Sequence, residues 1–270
     1  MQHNPIITLT TDFGYKDPFV GIMKGVILSI NPSVTIVDIT HDISPQNILE
    51  AALSIEMSFE SFPHKTIHVV IVDPGVGSTR RPILVITDRY YFIGPDNGIF
   101  SHIYKLKHET LMLMHITSEH YFMPRRSSTF HGRDIFAPVA AWLSRGIDAS
   151  KFGVPITDYV PISVPVPIIA GKNSLEGEVI YIDRFGNAIT NIKTQEIDDL
   201  YSSEPTGRLK LLVKDKEAPF KTHYSGAEDA GLYSLINSFG YLELFVYRGS
   251  ASSDFGIRVG EKVVVTFIDE

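Results

Sequence analysis

Between Ile67 and Val72 the chain carries a near-continuous apolar run, with Ile67, Val69, Val70, Ile71 and Val72 mostly β-branched. No polar face alternates through it, so it predicts a strand buried on both sides, as at the centre of a parallel sheet. Upstream, Ile6–Thr10 predicts a first strand that ends in Thr11-Asp12-Phe13-Gly14. Val20, Met23, Ile27 and Ile30 recur on one face and predict a helix over Phe19–Ile30, stopped by Asn31-Pro32. Val34–Ile39 is a second short strand. Ser44 as N-cap and Pro45 as first helical residue open a predicted helix over Gln46–Phe59, with Ile48, Ala51, Ala52, Ile55 and Phe59 inward.

After the central strand, Ile83–Thr87 and Tyr90–Ile93 read as a hairpin around Asp88-Arg89, and Gly94-Pro95-Asp96-Asn97-Gly98 is a dense turn cluster. A helix is expected over Gly132–Arg145, with Phe136, Val139, Ala140 and Leu143 on one face and Pro138 at a kink or in its first turn. From Val154 to Ile169 the pattern dissolves, with prolines at 155, 161, 165 and 167; this reads as an extended linker or edge segment. Short β-rich runs follow at Gly177–Ile182, Ala188–Ile192, Arg208–Val213, Tyr241–Val246 and Val263–Ile268, which suggests a small antiparallel sheet or barrel. The fold class expected is α/β, with an N-terminal layered domain over 1–165 built on a mostly parallel sheet and a small C-terminal antiparallel β-barrel over 172–270.

At 270 residues and 44% hydrophobic, the chain is long enough to bury such cores. A net charge of −7 argues against a nucleic-acid partner, which would call for a basic face. With no cysteine there is no disulfide framework, thiolate metal site or cysteine nucleophile. MQHNPIITLTTDFG lacks the charged-then-apolar plan of a secretory signal, and no apolar run approaches the ~20 residues of a membrane span. A cytoplasmic protein without a membrane partner is expected.

Candidate chemistry starts where the central strand stops. Asp73-Pro74 gives way to the tight Gly75-Val76-Gly77 turn, and Arg80 and Arg81 follow. A carboxylate at the carboxyl end of a parallel strand, beside a glycine loop and a guanidinium, stands where open α/β sheets place their sites. A plain strand-end turn with an Asp cap and surface arginines would read the same way. GVGSTR lacks the GK[ST] ending of a phosphate loop, and Arg80 breaks G-x-G-x-x-G, so nucleotide phosphates are poorly provided for. Asp12 either caps the next helix or accepts two hydroxyls of a ribose diol. His131 in SSTFHGRD opens a helix, where a ring is either a structural group or a firmly held catalytic one. There is no HExxH, no second histidine at ligand spacing and no G-x-S-x-G elbow beside Ser127 and Ser128; no metal site or serine nucleophile is expected. Further on, Asp183-Arg184-Phe185-Gly186-Asn187 is a turn that also offers a carboxylate, an aromatic face and an amide suited to an adenine edge.

Taken in order, TTDFG, DITHDISPQNI, VVIVDPGVGSTRR, GPDNG, FHGRD, IDRFGNAITNI and INSFGYLEL resemble one family, the S-adenosyl-L-methionine (SAM) hydroxide adenosyltransferases or SAM hydrolases, relatives of the fluorinases and chlorinases. The resemblance implies an α/β domain, a small β-barrel, and a homotrimer with SAM between the first domain of one subunit and the second of its neighbour. It implies hydrolysis of SAM to adenosine and L-methionine by water or hydroxide at ribose C5′, with no cofactor and with adenosine able to co-purify. Asp73, Arg80 and His131 fall where the hydrolase branch carries its catalytic set. By the same matching Asp12 binds the ribose diol, Asp183 lies near the methionine ammonium, Phe185 stacks on adenine with Asn187 on its edge, and Ser238 meets the amino-acid end. Val246 and Arg248 contact adenine through their backbone, and Glu243 completes the set. Arg81 returns to the surface.

His131 is the natural proton acceptor at neutral pH. Arg80 and the Gly75–Gly77 backbone would stabilise developing hydroxide charge while Asp73 orients Arg80 or the water; Asp73 as base with His131 as orienter fits the residues equally. Gln46 replaces an aromatic typical of halogenases, and the loosely matching Thr222–Tyr233 leaves open whether Tyr224 stacks on adenine. A SAM halogenase and a non-catalytic adenosine or SAM sensor are the competing readings.

Overall fold

The computed structural model describes residues 4–106, 108–170, 173–203 and 208–268, with the backbone alone at 201–203, 208 and 268. It divides into two compact units, Met1–Val164 and Pro165–Glu270. The first opens with β1 (Ile6–Thr11), α1 (Phe19–Ile30), β2 (Thr35–Thr40), α2 (Ile48–Ser58) and β3 (Ile67–Ile71). It continues through β4 (Pro82–Thr87), β5 (Tyr91–Pro95), α3 (Ser101–Lys105), β6 (Leu111–Ile116), α4 (Ala137–Ser144) and β7 (Gly153–Ile156).

Among the described residues the seven strands form one sheet in the order β2-β1-β3-β5-β4-β6-β7. The layered α/β expectation holds, and the sheet is mixed. β2, β1, β3 and β5 run parallel, as their helical or long connections allow. β4, joined to β5 by the tight Asp88-Arg89 turn, can only pair antiparallel, and β6 and β7 extend that half. Both faces are covered. α1 and α4 pack with Ile7, Leu9, Val69 and Ile71 on one side, while α2 and α3 pack with Val70, Val72, Val85 and Phe92 on the other. β3 is buried at every residue, which accounts for its unbroken apolar pattern. The chain leaves β1 toward β2 and returns to β3 on β1's other side, so the topological switch point falls between β1 and β3. Asp12 and Asp73 follow the carboxyl ends of those two strands.

Two local expectations change, and the edge reading of the proline-rich stretch holds in part. α2 begins at Ile48, and its N-cap is Asn47, whose side chain accepts from Glu50 N at 3.1 Å; Gln46 takes a positive φ of 67° that a helix excludes, so Ser44-Pro45 cannot be its start. The Gly132–Arg145 segment starts as a π-helical turn over Gly132–Phe136 before α4. Pro138 has no N–H to give the carbonyl of Asp134, and that carbonyl instead accepts from Met123 N at 2.9 Å. The proline-rich stretch is partly sheet: Pro155 sits on edge strand β7, where a missing N–H costs no pairing.

The second unit holds β8 (Ile168–Ile169), β9 (Ser174–Ile182), β10 (Ala188–Lys193), α5 (Thr194–Ser203), β11 (Arg208–Val213) and β12 (Lys216–Glu217). β13 (Leu232–Ile236), β14 (Tyr241–Val246), α6 (Ala251–Phe255) and β15 (Lys262–Ile268) complete it. The strands run β12-β11-β15-β9-β10-β14-β13, all neighbours antiparallel, with β8 beside β9. The segment after β12 reaches β13 through Ser234 N to Pro219 O at 3.0 Å and Lys221 N to Ser234 O at 2.8 Å, nearly closing a barrel. Alternating residues such as Leu175, Val179, Leu242, Leu244, Val263 and Val265 fill it. No described helix is long and apolar enough to cross a membrane.

Candidate active site

At the switch point the first unit opens into a cavity of about 450 Å³. Asp12, Asp73, Gln46 and His131 line it, together with the rings of Phe13, Phe19 and Phe130. Three chain segments bring these groups together, and each is held by identifiable bonds.

The first is the turn after β1. Thr11 Oγ1 bonds Nδ1 of the buried His41 at 2.7 Å and accepts from Phe13 N at 3.2 Å, while Gly14 N donates to the His41 carbonyl at 2.8 Å. Asp12 is thereby fixed between two anchored neighbours. Gln46 N donates to Asp12 Oδ2 at 2.9 Å, a contact made from the left-handed backbone region that non-glycine residues seldom occupy. Strained positions of this kind concentrate at binding sites.

The second is the loop after β3. Arg80 grips Asp73 with two parallel bonds, Nε to Oδ1 at 3.0 Å and Nη2 to Oδ2, and both side chains are buried. Phe136 packs under the guanidinium, 5.3 Å from its ring centroid. Arg80 stands behind Asp73 and His131 and does not line the cavity. The loop's own turns consume N–H groups expected to face a ligand: Val76 N donates to Asp73 O at 3.2 Å and Ser78 N to Gly75 O at 3.1 Å. Gly77 answers to packing. Its φ is +79°, and a Cβ there would lie 2.3 Å from the Ser128 carbonyl oxygen. Arg81 does not return to the surface as free charge; it pairs with the buried Asp96 at 2.6 Å and with Asp158 at 2.9 Å.

The third is the segment that carries His131. Asp134 is fully buried and accepts from Ser127 N at 2.7 Å and from Arg133 Nε at 2.6 Å, so it ties the loop to the π turn. His131 is left at the mouth of that turn, and Arg80 Nη2 donates to its Nδ1 at 2.7 Å. A guanidinium has no acceptor, so Nδ1 must be unprotonated and the ring's proton sits on Nε2. Burial, reinforced by the Arg80 charge and opposed by Asp73, lowers the His131 pKa below its ordinary value and keeps the ring neutral at pH 7.

The second unit gathers another part of the expected set. In the β9–β10 turn, Asp183 Oδ1 accepts from Phe185 N at 2.9 Å and Asn187 N at 2.8 Å, and Oδ2 accepts from Asn187 Nδ2 at 3.1 Å. The turn leaves Phe185 77% exposed, an uncommon position for so large an apolar ring. Ser252 N donates to Gly186 O at 2.9 Å, bringing the segment beyond β14 beside this turn; Val246 ends β14 and Arg248, with a φ of 57°, lies in that segment. Glu243 is buried on β14 and accepts from Tyr224 Oη at 2.8 Å and Asn237 Nδ2 at 3.1 Å. Burial raises its pKa and that of Tyr224, and the Asp183 charge raises both further. Tyr224 sets its ring edge-on to Phe245 at 5.0 Å. Ser238 lies apart, exposed in the β13–β14 turn at the opposite end of β14 from Arg248.

The residues that sequence reasoning did not single out are His41 and Asp134, which act through neighbours, and Phe13 and Phe19, which look like ordinary core positions in the pattern. Phe13, His41 and Asp134 stand inside longer motifs, and Phe19 is the first residue of a predicted helix. Among the described residues no group of three or more His, Cys, Asp or Glu could hold a metal ion.

Comparison with known proteins places the chain in a family. Residues 7–153 match the model described as the SAM hydroxide adenosyltransferase N-terminal domain, and residues 177–264 match its C-terminal domain. A Methanocaldococcus jannaschii protein named (R)-S-adenosyl-L-methionine hydrolase is 34% identical over 97% of this chain and 96% of its own. A fluorinase of Actinopolyspora mzabensis is 27% identical over 97% of each chain. The crystal structure of a conserved Thermotoga maritima protein superposes with a TM-score of 0.88 at 33% identity, covering 96% of this chain and 99% of that one.

Proposed function

Because the chain belongs to the SAM hydroxide adenosyltransferase family, we propose that it hydrolyses SAM to adenosine and L-methionine. The observation that carries this reading is the Arg80 clamp, one guanidinium holding both Asp73 and His131 at the cavity wall. A carboxylate beside the nucleophile's place disfavours an attacking halide, since like charges repel. It suits a neutral nucleophile that must lose a proton as it reacts. That nucleophile is water.

In the proposed step a water oxygen forms a bond to ribose C5′ as the C5′–S bond breaks. Sulfur keeps the electron pair, methionine leaves as a thioether, and one proton is released. The leaving group starts as a sulfonium and needs no acid. His131 Nε2–H donates to the water oxygen and orients it, while Asp73 accepts the proton on a lone pair that Arg80 leaves free. This division of roles follows from the tautomer: with Nδ1 engaged by Arg80, the ring has no vacant lone pair to act as base. Arg80 is a positioning residue, fixing both groups before substrate arrives. Preorganisation of this kind supplies a large share of such rate enhancements.

Asp12, with Oδ2 held by Gln46 N, binds the ribose diol through its remaining lone pairs. The β9–β10 turn supplies the rest of the pocket: Phe185 stacks on adenine, Asn187 reads its edge, and Asp183 takes the methionine ammonium. Glu243 braces this region through Tyr224 and Asn237, with Ser238 at the amino-acid end and the backbone at Val246 and Arg248 against adenine. The working assembly is a cytoplasmic homotrimer in which the cavity of one subunit faces the barrel turn of the next, where the exposed Phe185 ring would be covered. The test is product analysis after incubation with each sulfonium epimer of SAM, with and without chloride, since the archaeal relative is named for the (R) form. Equimolar adenosine and methionine over many turnovers is expected. A 5′-halonucleoside, or a single adenosine retained without turnover, would overturn the reading.

A further inference from the structure

One wall of the cavity is neither catalytic nor part of the ribose contact. Phe13, Phe19 and Phe130 meet there, with ring centroids 5.7 Å apart for Phe13–Phe19, 5.9 Å for Phe13–Phe130 and 5.3 Å for Phe19–Phe130. Their planes are inclined to one another by 60° to 76°, so the three rings form a corner and not a flat stack. Phe13 and Phe130 are half-buried against the core, and Phe19, the first residue of α1, is 40% exposed. Arg133 covers part of Phe130 from outside the cavity, at 5.4 Å from the ring centroid, so this ring already attracts one cation.

A second part of the wall is anionic, at Asp12 and Asp73. Asp73 is matched by Arg80, but among the described residues no cation lies within ion-pair distance of Asp12. The two walls together restrict the ligand. A neutral apolar group would satisfy the rings and leave the Asp12 charge unanswered. A strongly hydrated ammonium would answer the charge but give up its water against three rings. A poorly hydrated cation carrying alkyl groups meets both demands, because ring faces carry negative quadrupole potential and also bury alkyl surface.

We propose that Phe13, Phe19 and Phe130 form a sulfonium-recognition corner that selects the cationic methylsulfonium over neutral thioethers. The inference rests on the SAM reading of the site. It also says where the contribution falls in the reaction. The sulfur loses its positive charge as the C5′–S bond breaks, so an attraction to that charge is strongest before the transition state. Such an interaction lowers KM and, in so far as it is lost on the way to the transition state, lowers kcat with it. It would also help release methionine, whose thioether no longer has a charge to hold.

The test uses Phe19→Leu, which keeps apolar bulk and helix propensity while removing one ring at the most exposed of the three positions. KM for SAM, kcat, and the inhibition constants of S-adenosylhomocysteine and adenosine are measured side by side. The expected result is a rise in KM for SAM of about threefold to thirtyfold, the range for losing one cation–π contact, with kcat unchanged or raised by no more than that factor and both inhibition constants within about twofold. Equal weakening of SAM and S-adenosylhomocysteine would reduce the corner to an apolar wall, and unchanged KM would remove it; either overturns the inference. Phe130→Leu serves as the second variant should Phe19→Leu fail to fold. Failure of the SAM reading looks different: the wild-type protein would form no adenosine, and calorimetric binding of SAM against S-adenosylhomocysteine would still read the cation preference.

Discussion

Arg80 donates from Nη2 to Nδ1 of His131 over 2.7 Å, and this bond assigns the imidazole proton to Nε2. The same guanidinium donates from Nε and Nη2 to the two carboxylate oxygens of Asp73. One residue therefore sets both the orientation of an acid–base pair and the protonation state of one member. A protonated His131 would face Arg80 as a second cation, so the contact exists only while the ring is neutral.

That dependence fixes the direction of the pH profile. Burial first, and then Arg80, lower the His131 pKa below 6.5, so kcat/KM is expected to stay level from pH 8 down to 6.5 and to fall only below that. His131→Ala should lose about 10²–10³ in kcat, the cost of removing one aligned donor, lose the acid limb, and keep its affinity for adenosine. Asp73→Asn should lower kcat by about 10²–10⁴ as the proton acceptor disappears. An unchanged turnover in His131→Ala would remove the ring from the reaction, and full activity in Asp73→Asn would assign the base elsewhere.

Asp12 and Gln46 share a hydrogen bond made by a residue at φ 67°. Asp12→Ala should weaken adenosine binding by about tenfold to a hundredfold, as expected for loss of a charge-assisted pair of hydrogen bonds. Gln46→Gly removes the strain and preserves the N–H, so it should leave adenosine affinity within about threefold. Calorimetric titration with adenosine checks both. If Asp12→Ala retained full affinity, the diol would be bound by another group.

His68 offers a test of the fold that is independent of catalysis. It is fully buried on β3, bonded through Nδ1 to Thr8 Oγ1 at 2.8 Å and stacked on Phe92 at 5.2 Å. Burial pushes its pKa down to about 3. The unfolded chain takes up this proton near pH 6.5 while the folded one does not, so stability falls as pH drops from 6.5 toward 3. The loss approaches an upper bound on the order of 5 kcal/mol at the acid end. Urea unfolding of His68→Gln, which cannot titrate, should show a flatter dependence over that window; a slope equal to that of the wild type would place the acid sensitivity elsewhere.

Much of this arrangement was legible in the residues. The β-branched run from Val69 to Val72 marks a strand buried on both faces, and Asp73 after it marks the carboxyl end where the cavity opens. What the pattern could not show is geometry set by backbone exceptions. Ser44-Pro45 imitates a helix start, yet the positive φ of Gln46 defers the helix to Ile48 and turns an N–H toward Asp12. Pro138 suggests a kink, but its consequence, a freed Asp134 carbonyl bound by Met123, depends on a segment folded back from eleven residues earlier. Phe13, Phe19 and Phe130 carry no periodic signal as a group, because the first two flank a turn and the third comes more than a hundred residues later. Glu243 reads as one residue of an alternating strand, and the burial of its carboxylate between Tyr224 and Asn237 is set by the fold.

The central claim is that water, activated beside Asp73 and His131, displaces methionine at C5′. Its most direct measurement is turnover of SAM in oxygen-18 water containing chloride, followed by mass analysis of the nucleoside. One oxygen-18 atom in the 5′-hydroxyl of adenosine, with no chlorinated product, is the predicted result. Unlabelled adenosine, or 5′-chloro-5′-deoxyadenosine in its place, would contradict it.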